Sequence, residues 1–271
     1  MAPVPSIRQL YQPVQPTVKQ TVAQVSYVEL LPDPALQNYI YCYWQLHTSS
    51  PLQETFHYRV VADGCMDIFF ELHQPQESFV MGFSSAYTAF PLSPTFHYIG
   101  IRFFPAAFPL LFNIAAAELT NRFETLSVVL PDTARFIASH FHPALTTAEI
   151  KHQLDQHFLP ILLQKTLQQD RRFFNALHTI LEQQGIVNIE KELATGISNR
   201  QLRRLFEHYI GDSAKTFSKV VRFQHILHSN PSPAYLRKHK IFFDAGYYDQ
   251  AHFIKEFKTL FGLTPTQAFE Q

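Results

Sequence analysis

One short pattern occurs twice within the last hundred residues of this chain, and it leaves little choice of fold. The first copy runs Ile189-Glu-Lys-Glu-Leu-Ala194, a turn holding Gly196, then Ser198-Asn-Arg-Gln-Leu-Arg-Arg-Leu-Phe206 up to Gly211. The second runs from Leu236 to Asp244, through a turn holding Gly246, then Asp249-Gln-Ala-His-Phe-Ile-Lys-Glu-Phe257 up to Gly262. Each copy predicts a short helix, a tight turn and a second helix. The second helix is opened by an N-cap residue, Ser198 or Asp249, whose side chain can accept an orphan backbone N–H. Leu202 and Phe206 in one copy, like Phe253 and Phe257 in the other, stand four residues apart and therefore share a helix face. Ala214–Ser229 reads as one helix joining the two. The residues from 171 to 271 are thus expected to form an all-α domain of two helix-turn-helix units.

If the apolar pairs face a core, their neighbours face outward. In the first unit these are Asn199, Arg200, Gln201, Arg203 and Arg204; in the second they are Gln250, Ala251, Ile254, Lys255 and Lys258. Arg can pair two donors with guanine, Gln can pair with adenine, and a small or apolar side chain can meet a thymine methyl. Lysines and helix N-termini can hold phosphates. Either face alone would pass for ordinary solvated helix; the repetition points to double-stranded DNA as the partner. Charge agrees. Residues 1–170 hold 8 Lys and Arg against 13 Asp and Glu, whereas residues 171–271 hold 14 against 9. The basic surplus sits in the part expected to meet a polyanion.

The rest of the chain has a different texture. Residues 1–20 are rich in Pro, Gln and Val and read as a flexible tail. Over residues 21–131, short apolar or alternating runs predict strands at Tyr39–Leu46, Phe56–Ala62, Met66–Leu72, Phe79–Gly82 and Phe96–Phe104. Asp63-Gly64 is a turn or hairpin signal between two of them. A short helix is expected within Pro105–Asn113 and another helical turn within Glu118–Leu130. Residues 132–170 read as a helical linker; its second helix, capped at Thr146-Thr147-Ala148-Glu149, either links the domains, lies at a dimer contact or buries its apolar face against its own domain. The expected fold class is α+β, a strand-rich N-terminal domain followed by the all-α double helix-turn-helix domain.

Residues 171–270 closely resemble the AraC family of bacterial transcription activators. The resemblance rests on Gly246-Tyr-Tyr-Asp-Gln-Ala-His-Phe-Ile-Lys-Glu-Phe-Lys258 with Phe261-Gly-Leu-Thr-Pro265, on the first unit from Ser198 to Gly211, and on Val221-Arg-Phe-Gln224 in the connecting helix. It implies that the helices starting after Ser198 and Asp249 read DNA. Their base-facing positions would be Arg200, Gln201, Arg203 and Arg204, and Gln250, Ala251, Ile254 and Lys255. It also implies that one protomer spans two major-groove segments about 10 bp apart. The chain departs from the family at Phe242, where a small Ala is usual and where a Phe would push two helices apart. Tyr43-Trp44, Val61-Ala-Asp-Gly64, Gly82, and Ile99-Gly-Ile-Arg-Phe-Phe-Pro105 followed by Glu118-Leu119 resemble an uncharacterised domain often fused to such readers. Family members commonly use that part to bind a small-molecule effector or to form a homodimer; an activator would also contact RNA polymerase.

Other chemistry is poorly supported. Cys42 and Cys65 form no metal-type spacing and suit a reduced, cytoplasmic protein. No apolar run approaches the ~20 residues of a membrane span. His57, His97, His140 and His142 lack the carboxylate or Cys that a metal site would need. Asp63, Asp67 and Glu71 have no partner set for acid–base work, so neither an enzyme nor a cofactor is expected. The aromatic set Tyr39, Tyr41, Tyr43, Trp44, Phe56 and Tyr58 could fill a core or line an effector pocket. The alternative reading is a small-molecule-binding or enzymatic N-terminal domain with a degenerate DNA reader, favoured only by Phe242.

Overall fold

A computed structural model describes residues 6–16, 23–165, 170–189, 193, 196–232 and 246–270. The segment holding Phe242 and the helix expected between Leu236 and Asp244 lie outside the described residues.

Alternating side chains build the N-terminal half. Strands β1 (Val25–Leu30), β2 (Ile40–Thr48), β4 (Met66–Glu71), β5 (Gln74–Met81), β7 (His97–Phe103) and β8 (Phe123–Thr125) form an antiparallel sheet in the order β1-β2-β7-β4-β5-β8. Strands β3 (Phe56–Val60) and β6 (Thr88–Leu92) make a separate two-stranded ribbon. Strand β2 is buried on both faces because each face has its own cover. Cys42, Trp44 and Leu46 pack with Tyr58 beneath the ribbon, while Tyr43 joins Ile68, Phe70, Val80, Ile99 and Ile101 on the other side. Trp44 pairs with Gly100 across β2 and β7, and its indole lies flat on that glycine, where a Cβ would stand 1.9 Å from the ring.

Helices α1 (Ile7–Leu10), α2 (Ala107–Phe112), α3 (Leu126–Val129), α4 (Pro131–His140) and α5 (Thr147–Leu163) accompany the sheet. The stretch expected to be a linker contributes to the sheet's own core. Ile137 of α4 and Ile150, Leu154 and Phe158 of α5 are buried with the strand residues, each gaining roughly 1.5–3 kcal/mol from leaving water. The Thr146–Glu149 capping box forms as predicted.

Two other expectations are corrected. Asp63-Gly64 does not close a hairpin: β3 pairs with β6, and β4 with β5 and β7. Gly64 does adopt the left-handed turn conformation, φ 72°, but the turn carries the chain from ribbon to sheet. The region read as a flexible tail is, over residues 6–16, packed in place. Tyr11 and Gln15 are buried, Tyr11 Oη donates to the Asp63 carbonyl at 2.7 Å, and Gln15 Nε2 donates to Val61 O at 2.9 Å.

The C-terminal part is all helical among the described residues: α6 (Arg171–Glu182), α7 (Asn199–Tyr209), α8 (Ala214–Ser229), α9 (Gln250–Phe261) and α10 (Pro265–Phe269). Central α8 buries Phe217, Val220, Val221, Phe223, Ile226 and Leu227. This core also takes in Tyr11, Val61, Ala62, Phe83 and Ala106 from the N-terminal half. Hydrogen bonds run along the seam. Ala62 N–H donates to Leu260 O at 3.2 Å, Tyr87 N–H to Thr259 O at 3.0 Å, and Thr120 Oγ1 to Gly211 O at 2.7 Å.

Candidate nucleic-acid interface

The two helices expected to read DNA, α7 and α9, are fixed from inside by the residues that the spacing singled out. Leu202 and Phe206 of α7, and Phe253 and Phe257 of α9, are all buried. Phe206 meets Phe217 of α8 at 6.3 Å between ring centroids, and Phe257 meets Phe223 of α8 at 5.2 Å. Thus α7 and α9 both pack on the connecting helix, at Phe217 and at Phe223. Both N-termini are capped: Ser198 Oγ accepts Gln201 N–H at 3.3 Å, and Asp249 Oδ1 accepts His252 N–H at 2.7 Å.

On α7 the structure leaves Asn199, Arg200, Gln201, Arg203 and Arg204 exposed, but they are not equivalent. Gln201 completes the capping box, its Oε1 accepting from the Ser198 backbone N–H and hydroxyl, each at 3.2 Å. Pairing with adenine needs both the oxygen and the nitrogen of the amide, so Gln201 as it stands can offer a base only its N–H donors. Arg203 Nε is paired with Glu207 at 2.8 Å. Arg200 and Arg204 form no ion pair among the described residues and keep all their donors.

On α9, Gln250, Ala251, Lys255 and Lys258 are exposed. Ile254 is half-buried and packs against the C-terminal core, so only part of it remains for a thymine methyl. His252 is exposed and sets its ring 5.5 Å from that of Tyr247.

A network that sequence reasoning missed locks α9 onto α8. Glu256 is buried and pairs with Arg222 at 2.8 Å and Lys219 at 3.1 Å. Arg222 also lies over the Tyr247 ring, 4.1 Å from its centroid. Burial works to raise the Glu256 carboxyl, but the Arg222 charge and the hydrogen bonds from Tyr247, Arg222 and Lys219 together outweigh it and hold the group below the usual carboxylate range. The available signal was Arg222 within Val221-Arg-Phe-Gln224, eight residues before Asn230, the C-terminal cap of α8.

Of the residues weighed for other chemistry, Asp63, Asp67, Glu71 and His140 have structural partners, whereas His57 and His142 are exposed. Asp63 and Asp67 flank Arg102 at 3.5 and 3.2 Å. Glu71 accepts backbone N–H groups from His73, Gln74 and His97. His140 ends α4 and stacks on Phe136. Among the described residues no group of three or more His, Cys, Asp or Glu is placed to hold a metal ion, and both cysteines are free and buried. Among the same residues no helix is long and apolar enough to cross a membrane.

Comparison with known proteins gives the following likenesses. Residues 193–271 match a family described as a helix-turn-helix domain, and residues 28–125 match a domain of unknown function (DUF6597). An uncharacterized HTH-type transcriptional regulator of Haemophilus influenzae is 35% identical over 127 residues, 44% of this chain and 40% of that protein. The match therefore spans about two fifths of the relative's length. An apo ToxT variant from Vibrio cholerae is similar at 10% identity and a TM-score of 0.42, covering 83% of this chain and 97% of the other. ToxT from Vibrio cholerae O395 gives 9% identity and a TM-score of 0.37 over 91% and 96% of the two chains.

Proposed function

We propose that this chain, whose C-terminal unit is an AraC-type helix-turn-helix domain, is a sequence-specific DNA-binding regulator of transcription that reads two adjacent major-groove segments. One observation carries the reading. Two capped helices, α7 and α9, pack on the same connecting helix through matching apolar pairs and turn polar, basic faces outward. Arg200 and Arg204 are the base readers on α7, with Asn199 and Arg203 beside them and Gln201 holding the helix start. On α9, Gln250, Ala251 and the exposed part of Ile254 approach bases, and Lys255 and Lys258 hold phosphates. The reading places the protein in the cytoplasm and assigns it no chemical step. It gives the N-terminal domain a small-molecule effector, a homodimer that doubles the DNA contacts and, where the protein activates, a contact with RNA polymerase.

Selection of the full-length chain against a random duplex library tests this. The expected product is a bipartite motif whose halves lie about 10 bp apart. A single half-site would remove α9 from the reading surface, and no enrichment would overturn the regulator reading.

A further inference from the structure

Helix α8 carries more than the two apolar contacts that seat α7 at Phe217 and α9 at Phe223. Its sequence holds Lys215, Lys219 and Arg222 and no acidic residue. Phe217, Val220, Val221 and Gln224 are buried, and the three cations, spaced four and three residues apart, share another face. Lys219 stands in the sequence between the two seats.

This face opens on two adjoining grooves. One is lined by Asn188, Lys215, Lys219 and His252, the other by Thr216, Lys219, His252, Lys255 and Thr259. Lys219 and His252 belong to both, so the grooves run together. They carry the basic face of α8 round to Lys255, one of the outward residues of α9.

The charge along them is positive. Among the described residues Glu256 is the one carboxylate lining either groove, and it is buried and held by Arg222 at 2.8 Å. Lys219 meets Glu256 at 3.1 Å, yet its side chain is 39% exposed and its ammonium has three donors. Lys215 is exposed and forms no ion pair among the described residues. Ammonium groups in surplus, beside threonine hydroxyls, suit phosphate oxygens.

The spacing of the readers says which phosphates these are. A protomer that enters two successive major-groove segments on one side of a duplex faces, between them, the minor groove and its flanking backbones. The helix that lies between the two readers is α8.

We propose that Lys215 and Lys219 form a phosphodiester seat, which holds the DNA backbone between the segments that α7 and α9 read. The seat rests on the regulator reading and adds to it a contact that does not depend on base sequence. It fixes the register of the protomer on the duplex, and base choice stays with α7 and α9.

Full-length Lys215→Gln and Lys219→Gln proteins are titrated by anisotropy with the selected motif and with a random duplex, over about 50 to 200 mM salt. Lys215→Gln should keep the wild-type urea midpoint, so its slope reports binding rather than a lost fold. In Lys219→Gln the new amide can still donate to Glu256, and Arg222 keeps α9 tied. Each variant should lower the salt slope by about 0.9 and weaken binding about eightfold at about 0.1 M salt, equally on the motif and on its single-base variants. A slope unchanged in either variant, or a loss confined to particular bases, would overturn the proposal. Inorganic phosphate at constant ionic strength is the second arm. Thermal stabilisation by it that both variants abolish, with the slope unchanged, would assign the seat to the free ion instead. A motif with unchanged slopes defeats this proposal alone. Slopes lowered on the random duplex without any motif support the seat and defeat the sequence-specific reading, and no duplex binding at all defeats both.

Discussion

Gln224 and Val14, 210 positions apart, exchange two hydrogen bonds: Gln224 Oε1 accepts the Val14 N–H at 2.7 Å, and Gln224 Nε2 donates to the Val14 carbonyl at 3.3 Å. The same Nε2 donates to Ala62 O at 2.8 Å. One buried amide on the connecting helix thus ties together the N-terminal segment, the ribbon exit and the DNA-reading half. Gln224→Leu strands the Val14 N–H and the carbonyls of Val14 and Ala62, which should cost about 2–3 kcal/mol. Urea unfolding of the full-length chain measures it; a loss under about 0.5 kcal/mol would mean that the amide does not clamp the seam.

The α7 residues should separate by role. Arg200→Ala or Arg204→Ala should each cost about 1–3 kcal/mol in binding to the selected motif and relax base choice at one position. Gln201→Ala should instead cost about 0.5–1 kcal/mol of stability, because the capping box no longer closes, and leave base preference nearly unchanged. Anisotropy titrations on the motif and on single-base variants distinguish the two; a Gln201 variant with altered base preference would return that residue to the reading set.

Lys255 and Lys258 are expected on phosphates. Replacing either with Ala should weaken binding evenly across sequences and reduce the salt slope by about 0.9 for each phosphate no longer neutralised. A change confined to certain base sequences would show that the lysine reads a base edge.

Glu256 makes stability fall in acid. Despite burial, its carboxyl is held below the usual range by the Arg222 charge together with hydrogen bonds from Tyr247, Arg222 and Lys219, so the stabilisation is present above the unfolded value of about 4.3 and is lost as pH falls through the lower folded value. Glu256→Gln should remove this dependence and cost about 3 kcal/mol, because Arg222 and Lys219 lose their buried partner. The same variant should lose the second half-site in the duplex selection while keeping the first, since α7 does not touch this network.

Two histidines act at higher pH. Burial, followed by the nearby His47 and His73, lowers His97 to about 4. Burial, followed by His140, lowers His157 to about 4. Their folded values lie below the unfolded value of about 6.5, so the unfolded chain binds the extra protons. Stability is therefore full above about pH 6.5 and declines towards pH 4, by at most about 1.4 kcal/mol per histidine per pH unit. Guanidinium unfolding at pH 7 and pH 5 should show the drop, and a double variant His97→Gln, His157→Gln should flatten it.

Local signals explain what was legible in the sequence. The pairs Leu202/Phe206 and Phe253/Phe257, the caps at Ser198, Asp249 and Thr146, and the length of α8 all follow from helix period and capping chemistry within a few residues. Strands β2, β3, β4 and β7 were also legible as alternating runs. Strands β1, β6 and β8 were not. The pair β1 and β8 edge the sheet, with partly solvated side chains or only three residues, and β6 contains Pro91, which ordinarily argues against a strand. The outward exposure of the α7 and α9 positions, Ile254 excepted, was legible from helix period, but which side chains pair with one another was not. That Gln201 holds the helix start while Arg200 and Arg204 stay free depends on which side chains meet once the helix is formed.

The sequence by itself determined helices α4, α5, α7, α8 and α9, where α7 and α9 begin, and which of their faces turn inward, because those properties arise from interactions three or four residues apart. The tertiary structure alone decided that Asp63-Gly64 leads out of the ribbon into the sheet, that residues 6–16 lie in the seam, and that Arg222 and Glu256 hold the second reader. It also set Lys219 and Lys255 on one groove. Each of these joins groups from 34 to 210 positions apart, or from opposite sheets, whose meeting depends on how whole layers pack.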